Sequence, residues 1–441
     1  MSKILEIFDK CLKKSKADQT ELVCESEEFY LTRFADSVIH QNMGRKDHTV
    51  WCRAAIGKKV GIASGNDISM PAINNLIKSA TEICAFQSDN PQFPGLFASP
   101  CAPRSTGFVQ ATANYSPSNR AGAIKTISDI AAIDRLLVSG MYQTSQTELA
   151  VANSLGTRQD GKATEAKISI TLSGDGGRAG FAQAYSRDAD KIDYADIARR
   201  AVAKASRPQE PVSLEPGKYD VILDPEAVAD FLLFLGFLGF GGKGLFNRRS
   251  FMANKIGSQI MADKITITED PLNSEIGYIG FDYEGVCRRR VPLVQRGIGM
   301  GVVNDNMYGQ LNTTGSTGNA LRPGNNFGPY PVAMVMEPGE LSIEEIIGAT
   351  QKAIWITHFW YLNYLNPMMT TVTGTTRDGT FLIDSGKIAA PVIDMRISQS
   401  MLEAFNNVEA ISSQRRLVPK YGSLMYVPAM KITDFNFVPK E

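Results

Sequence analysis

Asp230-Phe-Leu-Leu-Phe-Leu-Gly-Phe-Leu-Gly-Phe-Gly-Gly-Lys-Gly-Leu-Phe-Asn-Arg-Arg249 is the stretch on which the reading of this chain turns. Just before it, Asp224-Pro225 predicts a helix start. Proline fits the first turn, and an aspartate at that place is expected to accept from the free N–H groups. The segment is therefore read as helical at least to Leu235, with the later glycines loosening its end. From Phe231 to Phe240 no side chain offers a metal ligand or a proton acceptor. That apolar run is about half the roughly 20 residues a membrane span needs, so it reads as a buried helix.

At 441 residues the chain exceeds one ordinary core, and more than one domain is expected. Lys+Arg and Asp+Glu are equal at 46 each, which removes any general attraction to nucleic acid or anionic lipid. The first ten residues mix charges with apolar side chains and do not read as a signal peptide. Six cysteines (Cys11, Cys24, Cys52, Cys84, Cys101, Cys287) are scattered without a C-x-x-C pair. They suit reduced thiols in a cytoplasmic protein.

The first 206 residues read as one unit written twice, over 1–90 and 118–206. Unit one runs from a helix (Lys3–Lys14) through strand-like stretches at Glu21–Cys24, Phe29–Phe34, Val38–Asn42, Thr49–Ile56 and Lys59–Ala63 to a helix at Met70–Phe86. Unit two repeats the plan. A helix over Ala121–Leu137 leads to strands near Thr147–Asn153, Lys167–Leu172 and Arg178–Arg187, then a helix at Tyr194–Ala205. Lys59-Val-Gly-Ile-Ala-Ser64 resembles Arg178-Ala-Gly-Phe-Ala-Gln183, and Phe34-Ala-Asp-Ser37 resembles Val151-Ala-Asn-Ser154. The Pro-rich segment from Ser206 to Gly217 marks a boundary.

Beyond it the chain is strand-rich. Tyr219–Leu223 and Lys431–Val438 read as strands. Tyr283-Glu-Gly285, Asp378-Gly379 and Asp384-Ser-Gly386 read as tight turns, and Ser342-Ile-Glu-Glu345 as a capping box. The expected fold is α+β: a duplicated helix–β-meander–helix domain over 1–206, then a domain over 218–441 on a large curved antiparallel sheet or open barrel.

The usual chemistries find little support. The histidines are His40, His48 and His358, without H-x-x-x-H spacing. A zinc site needs three or four converging ligands, and only His40, His48 and Cys52 offer a set, across a hairpin. His358 has aromatic neighbours and reads as packed or cleft-lining. Gly315-Ser-Thr-Gly318 is not a nucleophile elbow. Gly241-Gly-Lys243-Gly244 and Gly174-Asp-Gly-Gly177 do not match phosphate loops. The arginine groups Arg248-Arg249 and Arg288-Arg-Arg290 are too short for a nucleic-acid face. They suit internal ion pairs, or contacts to peptide carbonyls and carboxylates.

Several segments in order resemble a known family. Phe246-Asn-Arg-Arg249 with Lys255-Ile-Gly-Ser-Gln-Ile260 is followed by Phe281-Asp-Tyr-Glu-Gly285 and Ser316-Thr-Gly-Asn-Ala320. Met336-Glu-Pro-Gly339, Thr373-Gly-Thr-Thr-Arg-Asp-Gly379, Asp384-Ser-Gly-Lys387 and Asn407-Val-Glu-Ala410 complete the series. The order is similar to that of the TldD/PmbA family, whose older name is modulator of DNA gyrase. The resemblance implies a cytosolic metallopeptidase of two homologous subunits acting on unfolded or extended peptides. It implies H-E-x-x-x-H and a late cysteine on the TldD-type subunit. Counted back from Phe246, the two histidines fall on Leu235 and Phe240 and the glutamate on Gly236, and the last cysteine here is Cys287.

The chain thus resembles the TldE/PmbA type, without catalytic or metal residues of its own. It carries no cofactor, and zinc is expected only on a TldD-like partner. The expected partners are that homologous subunit, or a second copy of this chain, and a peptide; no nucleic acid or membrane is expected. Arg248, Arg249, Thr317, Asn319 and His358 are the candidates for lining a peptide chamber, by their place in or near these motifs. The alternatives are an independent hydrolase with an unrecognised site and a regulatory protein-binding factor.

Overall fold

The computed structural model describes residues 3–98, 102–205 and 210–439. Part of the Ser206–Gly217 boundary, and Cys101, lie outside the described residues.

The first sheet has six antiparallel strands in the order β3-β2-β1-β4-β5-β6. Its strands are β1 (Gln19–Ala35), β2 (Val38–Ile56), β3 (Lys59–Gly65), β4 (Leu137–Asn153), β5 (Arg158–Gly174) and β6 (Arg178–Ser186). One helix precedes and one follows each set of three: α1 (Lys3–Leu12) and α2 (Met70–Phe86), then α4 (Pro117–Ile133) and α5 (Tyr194–Ala205). A single turn, α3 (Gln110–Ala113), lies between the halves. β1 and β4 pair antiparallel at the centre, Glu21 opposite Asn153 and Phe34 opposite Gly140. The repeated units therefore meet about a pseudo-two-fold axis.

Matching glycines occupy equivalent places in the two units. A Cβ on Gly61 would lie 2.1 Å from the Ala80 carbonyl of α2, and one on Gly180 would lie 2.1 Å from the Ala201 carbonyl of α5. Each glycine lets its closing helix sit directly on the outer strand. Both fall at the third residue of the two matching sequences.

Unit one has three long strands where five short ones were expected. The polar stretches Glu25–Glu28 and Met43–His48 read as breaks, but they lie in a hairpin whose β2 residues Val38–Asp47 are exposed. With no core beneath them, those positions carry no apolar alternation. Asp36 and Ser37 close the hairpin with φ of 49° and 62°, as a primed turn requires.

The second sheet has eleven strands. β7 (Gly217–Leu223), β8 (Ile267–Glu269), β9 (Val291–Gln295), β10 (Ile298–Gly299), β11 (Ala333–Met336) and β12 (Lys352–Asn366) come first. β13 (Thr371–Asp384), β14 (Lys387–Pro391), β15 (Arg396–Ser400), β16 (Val408–Lys420) and β17 (Ser423–Val438) complete it. It is large as expected, but it is mixed: β11–β17 and β7–β12 run parallel. β7 also pairs β17, so β7, β12, β13, β15 and β17 close into a ring. Asp378-Gly379 is a bulge inside β13 and not a turn: two residues there face Thr357 alone.

Helix α6 (Pro225–Leu238) packs on this sheet, and eleven of its fourteen residues are buried. A helix apolar on every side belongs inside. Phe231 stacks on Phe359 at 5.3 Å and on Phe435 at 6.0 Å. The Asp224 side chain does not cap α6. Its carboxylate instead accepts from Lys204 Nζ at 2.7 Å and Trp355 Nε1 at 2.8 Å. An ion pair and an indole N–H outweigh a backbone cap in a buried position. The capping box on Ser342 and Glu345 is present. Among the described residues no helix is long and apolar enough to cross a membrane. Cys11, Cys24, Cys52 and Cys84 are free and buried, whereas Cys287 is disulfide-bonded, against the expectation of reduced thiols. Spacing alone does not reveal which cysteines a fold brings together.

Candidate binding cleft

Strand alternation gives the first sheet two different faces. Leu22, Cys24, Ala150 and Ile168 turn toward the helices. Glu25, Glu27, Gln143, Thr147, Glu165, Lys167 and Tyr185 turn the other way, into a cleft of about 700 Å³ against the second sheet. The facing wall includes Phe237 of α6, Tyr278, Arg288, Arg322, Tyr330 and the β16–β17 turn. The size is typical of ligand sites.

Tyr278 forms the middle of the wall. The Arg187 guanidinium carbon lies 5.4 Å and the Arg288 carbon 4.9 Å from its ring centroid. Both guanidinium groups donate to backbone carbonyls. Arg187 reaches Ile276 and Thr164 at 3.0 and 3.1 Å, and Arg288 reaches Phe281 and Gly318 at 3.1 and 2.8 Å. Burial pushes the Tyr278 hydroxyl pKa up, so it stays protonated at neutral pH. At one end Arg322 donates to Glu25 at 2.6 Å, and the Tyr283 hydroxyl donates to the same carboxylate. At the other, Lys420 meets Asp230 of α6 at 2.5 Å.

Behind the cleft, where β1 and β2 meet the loops of the second sheet, charges are buried. Arg53 lies 3.0 Å from Glu284 and 3.4 Å from Glu21. Burial, partly countered by Arg53, raises Glu21 to about 7. Burial and the neighbouring Glu284 raise Asp282 and Asp305 to about 7 as well. These acids hold the loops: Asp282 accepts from the backbone of Glu284, Val286 and Ala320, and Asp305 from that of Tyr308.

None of the five residues singled out in the sequence lines the cleft, and they fall in three separate places. Arg248 and Arg249 are exposed after the short helix α7 (Gly242–Phe246). Thr317 and Asn319 are buried together. The Thr317 hydroxyl donates to Asn319 Oδ1 at 2.7 Å, and Asn319 donates to Glu269 at 2.8 Å. Glu269 also accepts from the N–H groups of Val332 and Ala333. His358 is buried against Phe181 at 4.4 Å, with Nε2 3.3 Å from Asp378. The cleft is lined instead by Glu25, Glu165, Lys167 and Arg187, none of which falls in a family-like motif. Their signal was the period-two placement of charges on strands that are otherwise half apolar.

Residues 216–438, just over half of the chain, match the PmbA/TldA metallopeptidase C-terminal domain. Residues 103–207 match the central domain of the same family. The chain belongs to the PmbA/TldD family. It is 23% identical to a metalloprotease TldD homolog of Haemophilus influenzae over 94% of this chain and 89% of the other. It is 26% identical to a metalloprotease of Methanothermobacter thermautotrophicus over 52% of this chain, and spans only half of that relative's length. The structure of TldE from Thermococcus kodakarensis has the same fold, with a TM-score of 0.90, 20% identity, 98% of this chain covered and 100% of the other.

Membership makes α6 the place to test for a metal. Leu235 and Phe240 are fully buried and apolar, and Phe240 meets Phe251 edge-on at 5.3 Å. A Cβ on Gly236 would lie 2.8 Å from the Tyr330 hydroxyl, which donates to the Leu233 carbonyl at 3.1 Å. Tyr330 thus fills the space a residue-236 side chain would need. No nitrogen, sulfur or carboxylate stands at these three positions. Among the described residues no group of three His, Cys, Asp or Glu side chains has the geometry to hold a metal ion. The residues present at these positions do not fit a zinc site.

Proposed function

We propose that this chain is a non-catalytic subunit of a TldD/TldE-type metallopeptidase, partnering a homologous TldD-like chain that carries the zinc. Without that partner it associates with itself. Its substrate is an unfolded or extended peptide, admitted to the cleft between the two sheets.

One observation carries the reading: Tyr330 stands against Gly236, at the place the family resemblance assigns to a catalytic carboxylate. With Leu235 and Phe240 beside it, the helix has neither an imidazole to hold a metal nor a base to activate water. The cleft beside it, lined by charged and aromatic groups, suits an extended chain held by side-chain and backbone contacts.

The test uses the purified full-length chain, alone and mixed with a TldD-like protein from the same cell. Zinc content and cleavage of an unfolded peptide are measured in each. Zinc and cleavage are expected only when the TldD-like protein is present, with faster cleavage in the mixture than with that protein alone. Stoichiometric zinc on the isolated chain, with turnover abolished by a chelator, would overturn the proposal.

A further inference from the structure

The charges of the cleft do not balance. Among the described residues five cations line it (Lys167, Arg187, Arg288, Arg322 and Lys420) against three carboxylates, Glu25, Glu27 and Glu165. Two of those carboxylates are engaged by arginine, Glu25 by Arg322 and Glu27 by Arg45. The third, Glu165, accepts from Gln143 Nε2 at 3.4 Å and from the Tyr185 hydroxyl at 3.5 Å.

Lys420 pairs with Asp230, and Arg187 and Arg288 donate to backbone carbonyls, which leaves Lys167 as the lining cation without a hydrogen-bond partner among the described residues. Lys167 lies opposite Gln143 on β4 and Tyr185 on β6, so all three side chains leave the sheet on the cleft face. Its ammonium makes no hydrogen bond or ion pair with any described residue. Burial lowers its pKa, Glu165 partly restores it, and the charge of Lys420 opposes it further. An ammonium partly removed from water, with Glu165 acting on it only beyond ion-pair distance, attracts an anion able to reach it.

We infer that Lys167, flanked by Gln143 and Tyr185 and with Lys420 nearby, forms an anion subsite that takes a carboxylate of an extended peptide. The inference rests on the reading of the cleft as a peptide site, and gives that site a preference. A free C-terminus and an Asp or Glu side chain supply the same group, and the test distinguishes them.

Three fluorescein-labelled peptides of Gly, Ser, Ala and Leu are compared by anisotropy on the full-length chain. One is capped at both ends and carries no charge. One has a free C-terminal carboxylate, and one is capped but has a central Glu. At least one acidic peptide is expected to bind about tenfold tighter than the capped one, with the advantage shrinking in high salt. Whichever acidic peptide holds the advantage names the source. Lys167→Gln is expected to bring the ratio to about one, and Lys167→Arg to keep it. Equal affinity for all three peptides, or a ratio unchanged in Lys167→Gln, overturns the subsite and leaves the peptide reading standing. Failure of every peptide to bind overturns both.

Discussion

Helix α6 and the sheet wall that faces it across the cleft have opposite designs. The helix is apolar on nearly every side, and the positions the family resemblance assigns to chemistry are Leu235, Gly236 and Phe240. The wall carries charged residues on alternate positions of half-buried strands: Glu25 and Glu27 on β1, Glu165 and Lys167 on β5. A helix packed in this way contributes stability and shape, and it costs a great deal to alter. A polar wall facing a cavity contributes affinity, and it can change without disturbing a core. The contrast shows how a chain can keep a family's scaffold and a charged cleft while the positions that the resemblance assigns to a metal are filled by packing side chains.

Writing the family's motif back into α6 is expected to cost the most. The triple variant Leu235→His/Gly236→Glu/Phe240→His removes two buried apolar side chains and drives a carboxylate into Tyr330. Large-to-polar changes in a core and an unpaired buried charge each cost several kcal/mol. A loss on the order of 5 kcal/mol is expected in urea denaturation, with no gain of zinc. A variant as stable as the parent that binds zinc stoichiometrically would show that α6 is not committed to packing.

A smaller effect is expected at the charged interface behind the wall. Glu21 is buried with its pKa raised to about 7, above the ordinary carboxylate value near 4.3. A raised carboxylate pKa means that the unfolded chain ionises first as pH rises. The stability this group contributes is complete below about pH 4 and is lost as pH climbs through 7. Glu21→Gln removes that loss and leaves Arg53 its partner Glu284 at 3.0 Å. The variant is expected to be more stable than the parent at pH 8 by roughly 1–3 kcal/mol, and nearly equal to it at pH 5. Thermal unfolding at the two pH values checks this. A variant less stable at pH 8 would mean that the Glu21–Arg53 contact at 3.4 Å outweighs the burial of the charge.

Much of the fold was legible because it rests on local rules. Met70–Phe86 and Tyr194–Ala205 have the helical bounds read from the sequence, and the Ser342–Glu345 capping box stands where expected. The likeness of the two units was visible in Gly61 and Gly180, since a close helix contact admits no other residue there. The failures share one cause. Asp224 does not cap α6 because Lys204 and Trp355, distant in sequence, take its carboxylate. The β1–β2 arm hid its length because no core imposes a pattern on an exposed hairpin. Parallel pairing of β7 with β12 depends on a ring closed by β17, the last strand of the chain. The cleft residues were missed for the same reason. Lys167 becomes notable only when Glu165 is seen to be engaged by Gln143 and Tyr185, and nothing in the order of the residues says so.

The charged wall should tolerate change far better than the helix. Arg322 pairs with Glu25 at 2.6 Å, but its side chain is more than half exposed. A pair of that kind contributes less than about 1 kcal/mol, because solvent and salt screen it and ordering a long side chain opposes it. Arg322→Ala is therefore expected to lower stability by at most that amount, with the difference vanishing near 1 M salt. Its effect on ligand binding is expected to be larger than its effect on folding, since it removes one of the cleft's five cations and leaves Glu25 with the Tyr283 hydroxyl alone. Weaker binding of acidic peptides with little change in the unfolding midpoint would bear this out. A loss of several kcal/mol would show that the wall is as structural as α6, and the division between the two would no longer stand.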